Sequence, residues 1–214
     1  MSLTGTLRAN YARLTRRHVF HSIYRKRLWG EDESVSGAGS SLRATVSVRS
    51  ALPRLLEECK IQSMLDAPCG DFHWLSTCNL PVQHYLGIDI VAELIRINSQ
   101  NFGSDNRKFA CADVIRDRLP RMDLVFCRHL LIHLPLNDCR RVLRNFQQSG
   151  AEFLLVTHQP DVVENRDKPM GSFSPVNLTL PPFSLPAPTR IATDCTSAQD
   201  KAVLALYKLQ ELHL

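Results

Sequence analysis

The amino-acid sequence predicts a doubly wound α/β protein, with a mostly parallel seven-stranded sheet that ends in a C-terminal antiparallel hairpin. Three observations point there. Short, unbroken apolar runs recur at 63–67, 84–90, 108–114, 123–129 and 153–158, as expected of parallel strands covered on both faces. Stretches with helical spacing of apolar residues alternate with them. Two last runs, 191–195 and 202–209, read as closing strands that could pair as a hairpin.

Taken in order, residues 1–28 form a basic helical extension, with Leu7, Tyr11, Leu14, Phe20, Ile23 and Tyr24 at loosely helical spacing. The segment ESVSGAGSS (33–41) is a small flexible loop. A helical stretch carries Leu42, Val46, Leu52, Leu55, Leu56 and Cys59 on one side, with a break or kink expected near Pro53. After the strand SMLDA (63–67) comes HYLGIDI (84–90), then a helix in which Val91, Leu94, Ile95 and Asn98 share a face. KFACADV (108–114) and DLVFCRH (123–129) are the third and fourth strands. Asn137 or Asp138 is placed to cap a helix carrying Cys139, Val142, Leu143 and Phe146, and FLLVTH (153–158) is the fifth strand. Residues 159–190 are proline-rich and irregular, too long for an ordinary connection, and so either functional or mobile.

Composition narrows the function. The net charge of +5 is concentrated at one end: residues 1–27 hold seven basic side chains and no acid, leaving 19 basic against 21 acidic in the remainder. A folded body of that balance does not suit a sequence-specific nucleic-acid binder. The basic arm fits a solvated helix packed by one apolar edge, contact with a membrane surface or an acidic partner, or an organelle-targeting peptide. No apolar run approaches the roughly 18 residues of a transmembrane segment. Seven scattered cysteines (59, 69, 78, 111, 127, 139 and 195) never form Cys-x-x-Cys, which suits reduced thiols in a cytoplasmic protein.

Ligands of such sheets bind beyond the carboxyl ends of the strands, where the strand order reverses. The residues that follow each run are therefore the candidates. The first strand ends in Asp66, Ala67, Pro68, Cys69 and Gly70, the second in Asp89 and Ile90, the third in Asp113 and Val114, and the fourth in Cys127, Arg128 and His129. Three carboxylates thus fall at three successive strand ends. Gly70 permits close backbone approach and positive φ. Asp89 follows Asp66 by 23 residues, near the spacing at which a carboxylate accepts both hydroxyls of a ribose. A dinucleotide would want more glycines and no acid beside its pyrophosphate, whereas Asp71 stands there. A nucleoside with a positively charged end, an amino group or a sulfonium, fits better.

LDAPCGD (65–71), YLGIDI (85–90), ACADV (110–114) and LVFCRHLLIHL (124–134) resemble the successive motifs of class I S-adenosylmethionine-dependent methyltransferases. The likeness is to a bacterial subgroup whose first motif reads D-A-P-C-G-D-F. SGAGSS (36–41) and the NRD, NL and PPF.LP.P pieces between 165 and 188 are similar too, so the resemblance spans residues 29–209. It implies a Rossmann-like fold, S-adenosyl-L-methionine as cofactor, and 29–214 as the methyltransferase domain. It further implies that Asp66 to Gly70 line the methionine part and that Asp89, with Ile90 beside it, holds the ribose. Asp113, followed by Val114, would accept from the adenine amino group, and Cys127 and Arg128 would flank the sulfonium. The class usually keeps Gly-x-Gly after the acid; here Pro68 and Phe72 occupy glycine-like positions.

A methyl group leaves a sulfonium readily, so such a protein mainly orients the pair and excludes water. A base is needed only where the nucleophile carries a proton of high pKa. His129 and His133, after the fourth strand, are candidates for that base, or for structural or substrate-positioning histidines, and Arg128 suits an acidic group on the acceptor. A His-x-x-x-His pair also fits zinc, but no third ligand has a persuasive spacing, so no metal is expected. The loop 29–41 is a lid or a plain linker. Asn165, Arg166, Asp167 and Asn177 offer polar groups to a hydroxylated acceptor, or belong to a stiff connection without binding duties. The expected activity is methyl transfer to an oxygen or nitrogen of a small-molecule acceptor. The alternatives are a nucleotide-dependent oxidoreductase and a non-catalytic binding module.

Overall fold

The computed structural model describes residues 15–30, 33–194 and 201–214. Strands β1 (Ser63–Asp66), β2 (His84–Asp89), β3 (Arg107–Cys111), β4 (Leu124–Cys127), β5 (Phe153–His158), β6 (Arg190–Thr193) and β7 (Val203–Lys208) form one sheet. Its order is β3-β2-β1-β4-β5-β7-β6. The first five strands run parallel; β7 pairs antiparallel with β5 and with β6. The expected α/β architecture and closing hairpin are therefore present. The chain winds outward from β1 to β3, then returns to start β4 on the other side of β1, which opens a crevice at the β1 and β4 carboxyl ends.

Four α-helices accompany the strands among the described residues: α1 (described over 15–25), α2 (Val46–Glu58), α3 (Ala92–Phe102) and α4 (Leu136–Gln148). The strands read as unbroken apolar runs because both faces are covered. Leu65, Val125 and Leu154 point into one cluster with Val142, Leu143 and Phe146 of α4. Met64, Leu124, Phe126 and Leu155 point the other way, toward Leu52, Leu55 and Leu56 of α2. Successive side chains of a strand alternate faces, so the inner strands β1, β4 and β5 each serve two cores.

Local readings shift in four places. Helix α2 runs through Pro53 without a break and buries Val48, Leu52, Leu55 and Leu56, while Val46 is 58% exposed and Leu42 precedes the helix. Helix α4 begins a residue before Asn137, and its first amide is satisfied from afar: the Leu136 N–H donates to Asp167 Oδ1 at 2.7 Å. A loop residue 31 positions away does the work of a local cap. Strand β3 stops at Cys111, so Asp113 lies beyond it on the turn. The segment 159–190 is irregular as expected, yet braced: Asn165 donates to the Asn177 and Pro181 carbonyls, and Asn177 to those of Pro160 and Val162.

Helix α1 packs by one edge. Ile23 is buried, Phe20 meets Trp29 edge-on at 5.9 Å, and a Cβ added at Gly171 would stand 2.7 Å from Ile23 Cδ1. Leu7, Tyr11 and Leu14 lie outside the described residues, as does Cys195. No described helix is long and apolar enough to cross a membrane.

Candidate active site

The crevice at the strand ends is a cleft of about 1100 Å³, mouth included. Asp66, Pro68, Cys69 and Gly70 line it from β1, Asp89 and Ile90 from β2, and Asp113 and Val114 from the turn after β3. Arg128, His129 and His133 line it from beyond β4. Two expected members do not. Ala67 and Cys127 have no exposure and belong to the core. The alternation of β4 explains the second: Phe126 and Arg128 face the cleft, so Cys127 must point away.

The turn after β1 takes its shape from backbone geometry. Gly70 has φ 53° and Phe72 φ 56°, so Phe72 does adopt the left-handed conformation of a glycine-like position. A Cβ at Gly70 would collide with Ser36 Oγ, which marks how closely the 33–41 loop approaches. That loop is pinned on three sides. Asp71 Oδ2 accepts from Ser34 Oγ at 2.7 Å and the Val35 N–H at 3.0 Å; the Asp71 N–H donates to Ser36 Oγ; and Arg128 Nη1 donates to the Gly39 carbonyl at 2.9 Å. The 33–41 segment is thus a cover over the strand ends, and Asp71 is committed to holding it.

The three acids occupy different electrostatic settings. Asp66 is buried and accepts the Tyr85 hydroxyl hydrogen at Oδ2, 2.6 Å away. Burial pushes its pKa up to about 8, against the pull of that hydrogen bond. Asp89 accepts the Val91 N–H at 2.8 Å; burial raises it to about 6, with backbone N–H groups opposing. Asp113 is held by Arg16 of α1, whose Nε and Nη2 donate to Oδ2 at 3.0 and 2.7 Å, while the Ile115 N–H donates to Oδ1 at 3.1 Å. Both partners of that ion pair are buried. The contact was not legible in advance, because an arm rich in arginine gives no sign of which one will insert.

Beyond β4 stands a second charged group. Arg128 Nε donates to both oxygens of Asp194 at 2.9 and 3.0 Å, and the guanidinium lies 5.3 Å from the centre of the Trp74 ring. His129, with φ 57°, has Nε2 3.5 Å from Asp194 Oδ2. Burial works to raise the Asp194 carboxyl, but the His129 hydrogen bond and the Arg128 charge overcome it, and it sits below its ordinary value. His133 stacks on Trp29 with ring centres 4.1 Å apart, and burial lowers its pKa to about 4. Asp194 was missed in sequence: β6 is short, mostly exposed and begins on an arginine, so no unbroken apolar run marks the acid that follows it.

Four polar residues proposed for the acceptor are otherwise employed. Asn165 and Asn177 brace their own loop, Asp167 caps α4, and Arg166 is exposed beside Glu164 at 3.5 Å. Among the described residues no group of three or more His, Cys, Asp or Glu is placed to hold a metal ion.

No protein-family model matches this chain, nor does any curated protein sequence. Solved structures do match. N-methyltransferase NodS from Bradyrhizobium japonicum WM9, in complex with S-adenosyl-L-homocysteine, superposes with a TM-score of 0.65 at 15% identity over 87% of this chain and 98% of that one. Human N-acetylserotonin methyltransferase, in complex with SAM, gives 0.60 at 17% identity over 87% of this chain and 58% of the human one. The methyltransferase domain of bacterial-CtHen1-C gives 0.48 at 12% identity, and this chain spans 66% of it. At these identities the likeness is one of architecture: the chain has the seven-stranded α/β fold of NodS and of the human methyltransferase.

Proposed function

We propose that the chain is an S-adenosyl-L-methionine-dependent methyltransferase that moves a methyl group to an oxygen or nitrogen of a small-molecule acceptor. The observation that carries this reading is the pair of buried carboxylates, Asp66 and Asp89, pressed upward in pKa by burial and facing one cleft. A carboxylate kept from water costs free energy unless a cation or a set of donors meets it. A ligand with an ammonium and a sulfonium supplies the cations, and its ribose supplies the donors. The residues present fit that ligand: the turn at Gly70 and the 33–41 cover make a close-walled cradle.

In this reading the backbone from Asp66 to Gly70 lines the methionine part, with Asp66 turned toward its charge. Asp89 accepts from the ribose hydroxyls, each bond charge-assisted. The adenine end lies against Asp113 and the flat guanidinium of Arg16, which is suited to stacking. When bound, the sulfonium supplies an activated methyl group. The protein's own part is to fix the acceptor in line with it and to keep water out, through the 33–41 cover, α1 and Trp29. Arg128, His129 and His133 stand where the acceptor would meet the methyl group. The scattered free cysteines suit a cytoplasmic setting.

Thermal unfolding tests the reading directly. S-adenosylhomocysteine at millimolar concentration should raise the midpoint, and NAD and ATP should not. Stabilisation by NAD alone would refute it.

A further inference from the structure

Next to the first cleft lies a second cavity of about 1640 Å³, mouth included. The two share Trp29, His129 and His133, so the second begins where the first ends. We propose that this cavity receives the methyl acceptor, that the acceptor is a hydroxyl group on a flat, uncharged body, and that Asp194 is the residue that positions His129 to take the hydroxyl proton. The inference rests on the methyltransferase reading and deepens it.

The walls argue for the body of the acceptor. Trp29, Ile132, Val162, Phe173 and Pro175 present apolar surface, and the Phe173 ring is 68% exposed at the rim. Gly37 to Gly39 offer backbone and one methyl group, which leaves space for a flat molecule. The two formal charges in the wall, Asp161 and Lys201, stand 2.6 Å apart and satisfy one another. Both are exposed at its mouth, and among the described residues no other formal charge stands in the wall to meet a charged acceptor.

The junction argues for the nucleophile. A neutral amine attacks through a free lone pair, and a carboxylate needs no deprotonation. A hydroxyl, by contrast, must shed its proton as it attacks, and this is the case in which a base pays. His129 lines both cavities, and its ring is held by a carboxylate that Arg128 fixes in turn. A base oriented by a third group is the arrangement that proton abstraction from a hydroxyl requires. His133 is the poorer base: it is stacked flat on Trp29 and burial drives its pKa to about 4. It serves as wall.

In the step, the hydroxyl oxygen forms a bond to the methyl carbon as the carbon–sulfur bond breaks, with both electrons staying on sulfur. The hydroxyl proton passes to the His129 ring. The positive charge lost at sulfur reappears on the imidazolium, beside Asp194, and the proton leaves to solvent.

The test uses the full chain, with catechol, aniline and benzoate as probes for hydroxyl, amine and carboxylate. Ligand-observed NMR should show catechol binding to the S-adenosylhomocysteine complex, and Ala38→Trp, at the exposed mouth of the cavity, should abolish it. Methyl transfer to catechol should exceed transfer to aniline or benzoate by at least about tenfold. His129→Gly, which suits the local φ of 57°, should lower it on the order of 100-fold or more, with partial recovery on adding imidazole. Asp194→Asn should lower kcat while KM stays within about threefold, and should shift the ring 15N signals of His129. Transfer that favours aniline or benzoate overturns the proposal, as does catechol methylation indifferent to His129→Gly, or absence of catechol binding and transfer while S-adenosylhomocysteine binds. Failure to bind S-adenosylhomocysteine at all would instead overturn the methyltransferase reading beneath it.

Discussion

Replacing Asp66 by asparagine should make the ligand-free protein more stable at alkaline pH and leave it nearly unchanged at acid pH. The carboxyl is 3% exposed and accepts one hydrogen bond, from Tyr85. Burial lifts its pKa to about 8, and the negative charge of Asp89 adds to the rise. In an unfolded chain the same group titrates near 4. Between those values the native state keeps a proton that the unfolded chain has already released. The stability this group contributes is therefore fully present below about pH 4 and is lost as pH rises through about 8. A shift of roughly four units at about 1.4 kcal/mol each sets a ceiling of about 5–6 kcal/mol. Water drawn into the cleft around an ionised Asp66 lowers that, so about 2–4 kcal/mol should be measurable. Asparagine keeps an acceptor for Tyr85 and never ionises. Urea denaturation of both proteins at pH 5, 7 and 8.5 reads the difference directly. Asp89 acts with the same sign, but its window closes near pH 6, and thiol ionisation in the unfolded chain is common to both proteins. If Asp66→Asn were destabilising by the same amount at every pH, Asp66 would be an ionised structural anchor and not a carboxyl that a ligand cation relieves.

Two further outcomes follow from the same geometry. Asp89→Ala should weaken S-adenosylhomocysteine binding about 10- to 100-fold, from the loss of two charge-assisted hydrogen bonds, as read by calorimetric titration; unchanged affinity would relegate Asp89 to holding the Val91 N–H. Deleting residues 1–27 should leave cooperative unfolding, because the sheet and nearly all of both core clusters lie outside them, yet should reduce S-adenosylhomocysteine affinity by at least about tenfold, since Arg16, Phe20, Ile23 and Tyr24 line the cleft.

The sheet was legible because the inner parallel strands β1, β4 and β5, and most of β2, bury both faces and so show as apolar runs; FLLVTH at 153–158 coincides with β5. The strand-end acids were legible for the same reason, since a carboxylate that closes such a run has no role in packing. What was hidden depends on long-range contacts. Pro53 marks a place for a break or kink, yet α2 continues through it as one helix, because the burial of Leu52, Leu55 and Leu56 against the sheet outweighs the local penalty. Asn137 and Asp138 carried the local marks of a cap, yet Asp167 supplies one from the far side of β5. Asn165 and Asn177 were polar enough to face a ligand, but a long loop without strands or helices must satisfy its own carbonyls first. The pairing of Arg16 with Asp113 spans 97 positions, and nothing in the local pattern of either residue announces it.

Gly171 joins parts of the molecule that would bind different ligands. Its N–H donates to the His133 carbonyl at 2.8 Å, its carbonyl accepts from Trp29 Nε1 at 3.2 Å, and its bare Cα leaves the room that Ile23 and Val19 of α1 occupy. Helix α1 walls the first cleft, and Trp29 with His133 forms the partition between the two. A ligand that settles α1 therefore also settles the partition, and linkage is reciprocal: whatever factor the first ligand adds to the affinity of the second, the second returns to the first.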